Sequence, residues 1–104
     1  MYLAMNRFKI NPGHEAGFEN VWRERDSQLS KVPGFLAFRL LKGPVDKETG
    51  QTLYASHTSW ESEEAFSAWT KSEHFRQAHK NTGAHTDMYA GHPQFEGFTS
   101  VLSE

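Results

Sequence analysis

The chain has 104 residues, no cysteine and a net charge of −2, with 37% apolar residues and a mean hydropathy of −0.72. That is one small, lean domain, residues 1–104, with no basic surface for nucleic acid, no disulfides or thiolate chemistry, and no apolar run near the roughly 18–20 residues of a membrane helix. The N-terminal segment carries no secretory pattern, so a cytoplasmic location is expected. The apolar mass is concentrated in 8 Phe, 3 Trp and 3 Tyr, and six histidines are the compositional oddity.

Residues 2–10 alternate, with Tyr2, Ala4, Asn6, Phe8 and Ile10 on one face, which predicts a strand. Asn11-Pro12-Gly13 then breaks the chain. From about 14 to 31, Phe18, Val21, Trp22 and Leu29 keep helical spacing, with Arg25 in the apolar stripe. After Pro33-Gly34, the run 35–41 is apolar at nearly every position and reads as a strand buried on both faces. A connection over 43–51 leads to a Thr-, Tyr- and Trp-rich strand at 52–60. Ser62 caps a helix opened by Glu63 and Glu64, with Ala65, Phe66 and Trp69 on one face. Ser72 opens a second helical piece to about 81, a loop covers 82–93, and 95–102 closes as a strand.

This order is an α+β, ferredoxin-like βαββαβ pattern with a split second helix. Its helices cover one face of the sheet. The bare face, and the doubly apolar strand 35–41, then call for a second copy of the chain, so a homodimer is expected.

Four side chains are out of place for packing alone. Arg25 either snorkels, meets an internal acid, or faces an anionic ligand. Asn6, on an otherwise apolar strand face, satisfies its amide internally or with a ligand. Trp69 is a core tryptophan or a pocket wall. His79, beside Phe75 and Ala78, is a core histidine or a neutral imidazole offered to a metal. His74 and His79 are badly spaced for a shared metal, whereas a site involving His85 and His92 stays open. There is no phosphate-binding glycine loop, no nucleophile elbow and no carboxylate dyad.

Jointly, Asn6-Arg7-Phe8, Pro33-Gly34-Phe35 and the stretch from Trp60-Glu61-Ser62 through Phe66 and Trp69 to Phe75-Arg76-Gln77-Ala78-His79 resemble the dimeric α/β-barrel superfamily of antibiotic-biosynthesis-monooxygenase type. Within it they are most similar to the IsdG-type heme-degrading monooxygenases. The resemblance implies a heme oxygenase for which heme is substrate and cofactor. His79 would be the axial ligand of its iron, Trp69 would press on the porphyrin, and Asn6 would hydrogen-bond on the distal side. It also implies Arg25 at the propionates, a pocket lined by Phe18, Trp22, Phe66 and Phe75, and an external electron donor, either a reductase or a small reductant. The 82–94 loop is more similar to relatives with a biliverdin-like product than to the staphylococcal ones. Two alternatives remain open: a cofactor-independent quinol or polyketide monooxygenase, and a non-catalytic heme-binding carrier.

Overall fold

The computed structural model describes residues 1–25, 28–72, 75 and 87–104. Four strands, β1 (Tyr2–Ile10), β2 (Phe35–Val45), β3 (Thr52–Trp60) and β4 (Gln94–Thr99), form one sheet in the order β2-β3-β1-β4, antiparallel throughout. Among the described residues, α1 (Glu15–Glu24) follows β1 and α2 (Glu63–Thr70) follows β3, as the ferredoxin-like reading requires, and Phe75 is again helical.

The alternation in β1 sets the layers. Tyr2, Ala4, Phe8 and Ile10 are buried on the helix side, and β3 sets Trp60, Thr58, Ser56, Tyr54 and Thr52 opposite residues 2, 4, 6, 8 and 10. Two apolar clusters result. One gathers Tyr2, Ala4, Leu29, Val32, Trp60 and Trp69; the other gathers Phe8, Ile10, Phe18 and Tyr54. Between them runs the Asn6–Ser56 pair, a polar row where the core parts.

Ser62 caps α2 as expected, accepting from the Ala65 amide at 3.1 Å, with Glu63 and Glu64 in the first turn. Ser72 Oγ accepts from the Phe75 amide at 3.3 Å, the geometry of a second cap. The rest of that expected helix, with most of the expected 82–93 loop, lies outside the described residues.

Four expectations need correction. The helix predicted to about residue 31 ends at Glu24, and Arg25 is already extended (φ −72°, ψ 126°). After Trp22 no apolar residue occurs before Leu29, so nothing anchors a further turn to the sheet. Leu29 instead enters the core from a separate 3-10 turn, Leu29–Lys31. Strand β2 continues to Val45, absorbing Gly43 and Pro44 at a register shift between Lys42 and Val45. Proline is tolerated there because β2 is an edge strand. Nor is β2 buried on both faces, since Leu36, Phe38 and Leu41 are exposed in the single chain. The last strand is also shorter than predicted, ending at Thr99.

Candidate functional site

The gap between the two core clusters opens into a cavity of about 860 Å³, lined by Asn6, Phe8, Trp22, Arg25, Phe66, Trp69, Thr70, Phe75, Tyr89, Gly91, His92, Pro93 and Phe95. A volume of that size lies within the range usual for cofactor and small-molecule sites, about 300–1,000 Å³.

Each wall has a local cause. Asn6 is the one helix-facing position of β1 between Ala4 and Phe8 that is not apolar, and its amide makes no side-chain hydrogen bond among the described residues. Trp69, near the end of α2, is buried and held by the rings of Trp60 (5.3 Å), Phe66 (6.0 Å) and Phe75 (4.9 Å). Phe66 in turn stacks on Phe95 of β4 at 5.6 Å and 9°. Trp22 stacks on Phe38 at 5.5 Å and 18° and meets Phe8 edge-on. Its indole N–H is buried and has no hydrogen-bond partner among the described residues.

Arg25 lies on the cavity wall. Its guanidinium lies 4.2 Å above the Trp22 ring and pairs with no carboxylate among the described residues. Burial pulls it below its ordinary pKa, and only Tyr89 opposes that shift. Burial likewise raises the Tyr89 hydroxyl, with Arg25 opposing. The cation thus lines the cavity with no carboxylate paired to it among the described residues.

Of the residues singled out in the sequence, the cavity brings together Asn6, Trp22, Arg25, Phe66, Trp69 and Phe75. Phe18 is not among them. It is fully buried below the wall, 4.7 Å from the Tyr54 ring and 5.4 Å from Phe8, where it closes the second core cluster. His79, with His74 and His85, lies outside the described residues. No group of three or more metal-binding side chains occurs among the described residues.

Tyr89, His92, Thr70 and Phe95 were not predicted as cavity walls. Tyr89 arrives because the segment after residue 86 is stitched to the end of β1. Asn11 N–H donates to Met88 O at 2.9 Å, Ala90 N–H donates to Lys9 O at 2.8 Å, and Ile10 bridges Tyr89. This sets the Tyr89 ring against Phe8 and Phe18. The trace in the sequence is the short apolar group Met88-Tyr89-Ala90 between polar and glycine-rich neighbours. A second cavity of about 80 Å³ adjoins the first and shares Asn6, Trp22, Arg25, Phe66 and Trp69 with it.

A four-stranded antiparallel sheet with α1 and α2 on one face and a cavity between helices and sheet describes a ferredoxin-like α+β domain. The antibiotic biosynthesis monooxygenase family model matches residues 1–81. The chain is 33% identical over 92 residues to a heme-degrading monooxygenase of Shouchella clausii, covering 88% of this chain and 82% of that protein. It is 42% identical to one of Listeria welshimeri, covering 79% and 72%. Among solved structures, MhuD of Mycobacterium tuberculosis, described as a heme-degrader with two hemes bound in its active site, superposes with a TM-score of 0.70. It is 28% identical and is covered over 99% of its length, with 100% of this chain. The chain belongs to the antibiotic biosynthesis monooxygenase family, in its heme-degrading, IsdG-type group.

Proposed function

We propose that the protein binds heme in the 860 Å³ cavity and cleaves the porphyrin with dioxygen and externally supplied electrons, releasing iron and a biliverdin-like tetrapyrrole. The observation that carries this reading is the pairing of flat aromatic walls with a half-buried Arg25 that lines the same cavity and meets no carboxylate among the described residues. Heme is a large apolar disc with two carboxylates, and those walls and that cation match both parts of it. The orphaned indole N–H of Trp22 sits at the same corner. The similarity to heme-degrading relatives at 33% and 42% identity points the same way.

In this reading heme supplies the oxygen-activating chemistry, and the chain holds and shapes it. Arg25 holds a propionate. Trp69, fixed by three neighbouring rings, presents a rigid edge against the porphyrin plane. Asn6, with its amide uncommitted, offers hydrogen bonds beside the open face. His79, ten residues after Trp69, would hold the iron through its imidazole on the strength of the family resemblance.

Titrating hemin into the purified protein should give a saturable Soret band, and reductant in air should bleach it, with a ring-opened tetrapyrrole in the mass spectrum. Absence of a saturable band overturns the reading. Hemin passed intact to apomyoglobin without bleaching makes the protein a carrier. Turnover of a phenolic substrate without heme makes it a quinol-type monooxygenase. The outer sheet face, with Leu3, Met5, Leu41, Leu53 and Phe98, takes a second copy in this proposal, and light scattering of wild type against Leu41→Glu tests it.

A further inference from the structure

The smaller cavity is lined by Ala4, Asn6, Trp22, Arg25, Leu29, Phe38, Ser56, Thr58, Phe66 and Trp69, and its polar atoms are unevenly committed. Thr58 Oγ1 is occupied, accepting from Trp60 Nε1 at 2.8 Å and lying 3.5 Å from Ala4 O. Ser56 is only 8% exposed, yet its hydroxyl makes no hydrogen bond among the described residues. Asn6 lies directly across from it in the β1–β3 register and is also uncommitted. Directly opposed side chains start with Cβ atoms about 4.5–5.5 Å apart, within reach of a direct bond, yet these two make none, which leaves both free to share a bridging water. Polar groups that line a cavity and bond to no protein atom are the ordinary partners of ordered water, and about 80 Å³ leaves room for two or three molecules.

We infer that this annex is a structural water site, and that Ser56, through its water, holds the Asn6 amide in the orientation it presents to the main cavity. Ser56 is a positioning residue: it acts on the ligand only through Asn6. The water part rests on the geometry alone, whereas the positioning part rests on the heme reading above.

Two measurements test it. A high-resolution crystal structure of the ligand-free protein should show water within about 3.2 Å of both Ser56 Oγ and the Asn6 amide. In Ser56→Ala that water should be lost, and in Ser56→Thr it should stay. In the reduced, heme-loaded protein with carbon monoxide, the C–O stretch reports polarity beside the bound gas. Asn6→Ala should shift it, Ser56→Ala should shift it in the same direction by less, and Ser56→Thr should match wild type. Ser56→Ala should bind hemin as wild type does, with kcat down roughly three- to tenfold, the effect of one neutral hydrogen bond, and KM unchanged. A dry annex in the wild type, or an unmoved C–O stretch in Ser56→Ala, overturns the inference. A wild type that gives no Soret band overturns the heme reading and the positioning role with it. A Soret band with an unmoved stretch removes the Ser56 role alone.

Discussion

Replacing Arg25 by methionine keeps much of the apolar stem and deletes the cation, and the structure sets what each part should cost. The guanidinium lies 4.2 Å above the Trp22 ring, so folding loses a cation–π contact of about 0.5–1 kcal/mol. Against that, a half-buried cation without a carboxylate partner no longer has to be desolvated, a change that favours the variant. The two effects oppose each other, so the ligand-free protein should unfold within about 1 kcal/mol of wild type. Binding should behave differently. A charge-assisted hydrogen bond to a propionate contributes about 1.5–3 kcal/mol, so the hemin Kd should rise roughly 10- to 150-fold. Urea unfolding of the ligand-free protein and hemin titration by absorbance measure the two arms separately. Heme dimethyl ester, which has no free carboxylate, sharpens the second arm, because wild type and Arg25→Met should bind it equally. The reasoning fails if hemin affinity is unchanged, if the ester shows the same loss as hemin, or if the ligand-free variant is severely destabilised. The last result would make Arg25 a structural residue.

Asn6→Ala should bind hemin with near wild-type affinity while turnover under reductant falls, and His79→Ala should weaken or abolish the Soret band; absorbance titration and bleaching rates check both. At Gly97 an added Cβ would collide with the hydroxyl of the buried Tyr2, so Gly97→Ala should destabilise by about 1–3 kcal/mol in urea, with Tyr2→Phe on the same background recovering part of the loss. The Tyr54 hydroxyl donates to Glu19 Oε2 at 2.6 Å, a bond that, with Lys42 and Arg23 nearby, lowers the Glu19 pKa. A carboxylate with a lowered folded pKa contributes stability that is present above its unfolded value and lost as pH falls through the folded one. Tyr54→Phe should therefore be less stable than wild type at neutral pH, and the gap should narrow below about pH 4. Urea midpoints across that range decide it, and a gap that does not change with pH would refute the assignment.

Local patterns account for much of the architecture. The two-residue period of 2–10 and 52–60 specifies which side chains of β1 and β3 face the helices, because successive Cβ atoms must point to opposite sides of a strand. Ser62 and the two glutamates behind it locate the start of α2 for an equally local reason: the serine accepts from an amide that the helix itself leaves free, and the acids offset the partial positive charge of that end. Asn6, Trp22, Arg25, Phe66, Trp69 and Phe75 could be singled out because each sits oddly on its own element or completes a family pattern. What failed were readings that depend on partners distant in sequence. The end of α1 depends on what lies beneath the turn after Trp22. The exposure of β2 depends on its being an edge strand, which no run of apolar residues reveals.

By itself, then, the sequence determined the strand faces, the helix caps and the family, all encoded in short spacings that need no knowledge of the rest of the chain. Tertiary structure alone decided that Phe18 is core rather than pocket wall, and that Tyr89 and His92 reach a cavity with Asn6 and Arg25. It also decided that the Arg25 guanidinium lies over the Trp22 ring. These outcomes turn on which residues far apart in the chain come within a few ångströms, and that is set by the pairing of β1 with β3 and of the chain after residue 86 with the end of β1.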